Sequence, residues 1–198
     1  MAKCDTSVIH DFLYDCENPP VAGLEDTALL INRADIDFTK SVISADSPNI
    51  ITSIVLKAGK KANVVQQRKT SFTGTNVAQV EGTYSVGTTQ TFAFVAFSNS
   101  AEEKAAIDNI LNGSFIAVIQ NKSAADNAKY EVLGWNTGLK TPTLTKDYVA
   151  EESAGVYAIT LASGQEPHLP MSFFDTDLET TAAAFEALQT AAPVTPAA

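Results

Sequence analysis

The chain is predicted to be mainly β, of α+β type: an antiparallel β-sandwich or barrel with a flanking α-helix and a second, C-terminal helix. Three observations carry that expectation. With 198 residues, 45% hydrophobic and 18% charged, the chain can build one well-cored domain. Short runs rich in β-branched and aromatic residues recur between glycine and proline turns. Only two stretches carry helix start and stop signals, so strands dominate the element order.

Residues 1–23 end in Asn18-Pro19-Pro20-Val21-Ala22-Gly23, which neither a helix nor a central strand accommodates. They are expected to be an arm packing on something else, a neighbouring subunit included. Residues 24–190 then form a single β-rich domain, and 191–198 a flexible tail. Thr27 to Asn32 is strand-like, Ile36 to Val42 more weakly so, and Asp46-Ser47-Pro48-Asn49 marks a turn. Ile50 to Leu56 begins a strand rich in β-branched residues.

The segment 57–91 differs in character. It sets Lys57, Lys60, Lys61, Arg68 and Lys69 against the single acidic Glu81, and it is rich in Thr, Gln, Ser and Asn. Phe72, Val77, Val80 and Tyr84 are scattered anchors, punctuated by Gly74, Gly82 and Gly87. The pattern predicts a long, half-polar hairpin or extended loop, lying on the surface or reaching to a neighbouring subunit.

Thr91 to Phe97 returns to the core, with Phe92, Phe94 and Ala96 on one side and Ala93, Val95 and Phe97 on the other; a central strand covered twice is expected. Ser100-Ala101-Glu102-Glu103 is a capping box that opens a helix. Ile107, Ile110 and Leu111 form its apolar stripe, and Gly113 stands where a left-handed cap is expected. Ser114 to Ile119 is apolar on both faces. Lys129 to Leu139 alternates and then turns at Gly134 and Gly138; Gly155 to Leu161 gives another strand, and Glu166-Pro167-His168-Leu169-Pro170 closes the block. Thr176-Asp177-Leu178-Glu179 caps the last helix, whose face is Leu178, Ala182, Phe185 and Leu188, with Pro193 as its stop.

Reaction chemistry finds little foothold. No serine elbow, phosphate loop or dinucleotide fingerprint is present. Of the two histidines, His168 sits between prolines and reads as a loop residue, and His10 is the remaining candidate. Asp175 and Asp177 read as turn and cap residues, Glu151-Glu152 as a solvated loop, and Asp35-Ile36-Asp37 is an incomplete calcium pattern. Cys4 and Cys16 are the only cysteines; free thiols, a disulfide, and a metal site with His10 all stay open. Tyr130 and Trp135 either pack in the core or stack on a sugar. A net charge of −10 argues against a general grip on nucleic acid. Neither a transmembrane helix nor a secretory signal is expected.

Tyr130-Glu131-Val132-Leu133-Gly134-Trp135-Asn136-Thr137-Gly138-Leu139, Tyr157 to Leu161 with the following Ser163-Gly164, and Glu166 to Pro170 carry a resemblance. They are similar to tail-tube-like structural proteins of tailed bacteriophages, of the type found with phages of Bacteroidetes. The opening Met1 to Thr6, with Cys4, and Cys16 resemble that group as well; the segment 57–91 lies outside the resemblance. It implies a β-sandwich or barrel with a flanking helix, six of which form a ring whose inner wall is one continuous sheet. Rings stack through long loops and terminal arms into a tube that conducts DNA without binding it specifically.

The expected function is therefore structural: a self-assembling virion protein with no catalytic residue, no cofactor and no membrane partner. Its partners would be itself, in a hexameric ring or tube, and other virion proteins. A neck-ring or head-decoration protein, or a carbohydrate-binding β-sandwich module, are the alternatives. For the interface, Lys60, Lys61, Arg68 and Lys69 are the candidate charge partners, and Phe72 and Tyr84 the anchors.

Overall fold

The structure is a computed structural model that describes residues 10–14, 16, 19, 21–68, 71–82, 85–122, 126–149 and 155–193. Cys4, Lys69, Tyr84, Glu151, Glu152 and 194–198 lie outside the described residues.

Eleven strands and two helices follow one another as β1 (Thr27–Asn32), β2 (Val42–Ile43), β3 (Ile50–Ser53), β4 (Asn63–Gln66), β5 (Asn76–Glu81), β6 (Val86–Ala96), α1 (Ala101–Asn112), β7 (Phe115–Gln120), β8 (Tyr130–Leu133), β9 (Leu139–Thr145), β10 (Tyr157–Ser163), β11 (Met171–Phe173) and α2 (Leu178–Ala187). The fold is mainly β with α+β character, as the sequence predicts. The strands form one hydrogen-bonded network with two branches. One runs β4-β1-β7-β8-β11-β3-β2 and the other β9-β10-β6-β5; the pair Phe115–Leu139 joins β7 to β9.

The central strand β7 explains how the branches stack. Its residues are apolar at successive positions, and alternation sends them to opposite faces. Ile116 and Val118 join Leu29, Ile31, Val132, Met171 and Phe173 beneath α2, which contributes Phe185 and Leu188. Phe115, Ala117 and Ile119 join Leu30 and Leu133 against Phe92, Phe94, Ile159 and Leu161 of the second branch, with Ile107 of α1 alongside. The result is a sandwich-like sheet with a helix on its outer face, held by two apolar layers.

Several expectations change. The pairing is not wholly antiparallel: β3 and β11 run parallel, with Ser172 opposite Ile50. These strands are far apart in sequence, so no tight turn dictates their direction. The strand at 91–97 is fully covered on one face, where Phe92 and Phe94 are buried, and only in part on the other, where Ala93 is buried, Val95 half-buried and Phe97 exposed. In α1, Ser100 caps as expected by accepting from the Glu103 N–H at 3.1 Å, but Leu111 is exposed. Gly113 is extended, at φ −85° and ψ 172°, rather than left-handed. A side chain is excluded there for another reason: a Cβ would lie 2.1 Å from the Phe115 ring.

The single long hairpin expected over 57–91 is two separate structures. β4 joins the first branch by pairing with β1, and only β5 and β6 form a hairpin, with six residue pairs. The apolar residues between the basic ones account for the split. Ala62 and Phe72 are buried, and Val65 packs against the core. The tail expected from residue 191 is tied down at Ala192, which accepts from the Gly59 N–H and donates to the Lys60 carbonyl, both at 2.9 Å.

Candidate assembly interface

The turn between β8 and β9 is the most heavily bonded polar spot in the described chain, and it holds the two branches together. Gly134 and Gly138 take φ of +75° and +76°, a conformation that L side chains rarely adopt. Between them, Asn136 and Thr137 aim their donors at one carboxylate. Glu166, at 1% exposure, accepts from the Asn136 N–H at 3.2 Å and Nδ2 at 2.9 Å, and from the Thr137 N–H and Oγ1, both at 2.8 Å.

The same glutamate ties the β10–β11 connection to β6. Its backbone exchanges hydrogen bonds with Thr88 of β6 at 2.8 and 2.9 Å. Gly87 is required beside that bridge, since a Cβ would come within 2.4 Å of the Glu166 carbonyl oxygen. Buried Gln90 accepts from the Gly134 N–H at 2.8 Å and donates to the His168 carbonyl at 3.2 Å. Arg33 Nη2 donates to the Asn136 carbonyl at 2.8 Å, and its guanidinium lies 4.7 Å from the Phe38 ring centre. These bonds satisfy a buried carboxylate with neutral donors, and they lock geometry.

Candidates for chemistry find structural work instead. The His168 side chain is exposed while its carbonyl is the bonded group. Asp35 pairs with Lys60 at 3.1 Å. Burial alone would raise its carboxyl, but bonds from Asn32 and Lys60, with the Lys60 and Lys57 charges, hold it below the usual value. Asp37 closes a local turn with Thr39 and an ion pair with Lys40. Asp177 caps α2 by accepting from the Thr180 N–H at 2.7 Å. Tyr130 and Trp135 are buried, against Phe173, Phe185 and Phe38, and offer no open face for a sugar. Among the described residues, no three His, Cys, Asp or Glu side chains gather as metal ligands, and no helix is long and apolar enough to cross a membrane.

The expected interface residues separate. Phe72 is a core residue, 5.4 Å from the Phe92 ring centre, and cannot anchor a partner. Lys60 is occupied by Asp35 within the chain. Lys61 and Arg68 are exposed at the two ends of β4, and neither pairs with a carboxylate among the described residues. Lys69 and Tyr84 lie outside the described residues.

Among the described residues three strands pair on one side only: β2 at the far end of the first branch, β5 and β4. β5 pairs with β6 alone, and Val77 and Val86 on that hairpin are exposed. β4 pairs with β1 alone, and its other side borders a groove of about 1070 Å³ lined by Val64, Val65, Phe94, Phe97, Ile107 and Ile110, among others. The sequence signal for β4 is its Val64-Val65 pair between two basic flanks, which reading 57–91 as one unit conceals. Comparisons of the chain with protein-family models, with curated proteins and with solved structures find no match.

Proposed function

We propose that this protein is a self-assembling structural subunit of a tailed-phage particle, building a ring or tube through which DNA passes. The observation that carries the reading is the β5–β6 hairpin. Five of the six β5 residues are exposed, and among the described residues the strand is paired on one side only. Natural monomers blunt such edges, whereas an assembling subunit uses them. The resemblance at 129–170 supplies the particle. It falls on the turn that Glu166 holds, which fixes one branch of the sandwich relative to the other. The net charge of −10 suits a conduit that lets a polyanion move without sticking. Neither a catalytic step nor a cofactor is part of this reading.

Negative-stain electron microscopy of the purified chain, with light scattering over a concentration series, tests it. Rings or hollow tubes of uniform width are the expected result. A strict monomer at every concentration and salt level would remove the assembly reading. Compact closed oligomers without a central channel would remove the conduit.

A further inference from the structure

Two features at opposite ends of the fold's apolar inventory fit each other. The first is the arm. Phe12, Leu13 and Tyr14 are 90%, 85% and 73% exposed, an unusual run of large side chains left in water. In sequence they stand between Asp11 and Asp15. The second is the β4 edge, flanked by Lys61 and Arg68 and opening onto the apolar groove between β4, the end of β6 and α1.

We propose that residues 11–15 of one copy add as a strand to the outer edge of β4 in a second copy. This rests on the assembly reading above. An added strand satisfies the backbone groups that β4 leaves unpaired, and side-chain alternation sends its first and third apolar residues to one face. That face is the groove: Val65 points there, packed against the core, and Phe94, Ile107 and Ile110 line it. Phe12 and Tyr14 fill it, and Leu13 lies on the opposite face. The flanking charges set register, with acids at both ends of the arm strand against bases at both ends of β4.

The occupant is a second copy rather than the chain's own arm. The chain leaves its own Phe12, Leu13 and Tyr14 in solvent, off its own groove. The stiff Pro19-Pro20 pair between arm and domain disfavours a tight return. An arm-to-edge contact is also heterologous: each copy gives an arm and receives one, which generates rings or filaments.

Charge exchange in the full chain tests the contact. Lys61→Glu/Arg68→Glu makes the receiving edge acidic, and Asp11→Lys/Asp15→Lys makes the arm basic. Asp11, Lys61 and Arg68 are exposed, so both variants are expected to keep the parental unfolding temperature. Each alone should self-associate at least roughly tenfold more weakly than the parent in sedimentation velocity. An equimolar mixture should regain association, because basic arms then meet acidic edges. As a second handle, Phe12→Ser/Tyr14→Ser removes the apolar contact outside the core and should also weaken association.

A mixture no stronger than its parts overturns the proposal, as does undiminished association of the variants. An arm bound to its own groove gives that first outcome. Rings or tubes that persist in every variant sink this contact alone and leave the assembly reading standing. Association that depends on mixing but yields no ring or tube keeps the contact and sinks the conduit. A monomeric parent chain removes both.

Discussion

Glu166 concentrates more structural consequence than any other side chain in the described fold. A buried carboxylate with four donors aimed at it loses all four bonds when it is removed, and bonds to a charged acceptor are worth more than neutral ones. Glu166→Ala should therefore destabilise by about 3 kcal/mol and lower Tm by roughly 6–12 °C in calorimetry. A change below about 2 °C would show that the β8–β9 turn holds without it. Glu131 on β8 behaves oppositely. Burial raises its carboxyl above the ordinary range, partly offset by a bond from Asn121. A raised acid pKa means that the fold disfavours the ionised form, so stability falls as pH rises from the unfolded value through the folded one. Glu131→Gln should raise Tm by roughly 2–4 °C at pH 7.5, and the gain should vanish below about pH 4, where both states are protonated. A gain that persists at low pH would assign the effect to packing. The sequence shows Glu166 only as part of a Pro-rich loop. Its partners at 136–137 are thirty positions away in the chain, and nothing local announces that they converge.

At the scale of elements, legibility follows how local the determining interaction is. Both helix starts are readable because a cap bonds three residues along, as Ser100 to Glu103 and Asp177 to Thr180 do. Asp177→Ala should cost about 1 kcal/mol and lower Tm by roughly 2–4 °C, measured by thermal unfolding in circular dichroism. No change would mean that the Phe185 and Leu188 packing alone places α2. Strand β7 is readable too, since the unbroken apolar run from Phe115 to Ile119 requires cover on both faces. The segment 57–91 is not readable as it stands. Its polar composition suggests a single surface excursion, but β4 is recruited by a distant partner, β1, and clamped by the end of α2. Gly113 shows the same limit on a smaller scale: the glycine is visible, while the ring that requires it is placed by tertiary packing.

For the whole molecule, the two-layer sandwich and its helical cover follow from composition and alternation, whereas the identity of the open edges does not. An edge is defined by what fails to pair, and that is a property of the finished topology. Candidate contact residues chosen from the sequence therefore divide: Lys61 and Arg68 flank an open edge, while Lys60 pairs with Asp35 and Phe72 is buried in the core. The clamp on β4 carries a further consequence. Ala62 donates to the Leu188 carbonyl and Gly59 to that of Ala192, so residues that follow α2, translated long after β4, hold the segment that leads into β4. The parallel partner of β3 also arrives late, as β11. On the proposed arm-to-edge contact, a growing chain carries residues 11–14 well before it has a finished site to receive them, because the site waits on α2 and the residues after it. Under the proposed contact, copies not yet translated past Ala192 can donate and cannot accept, which delays association until the β4 edge is clamped.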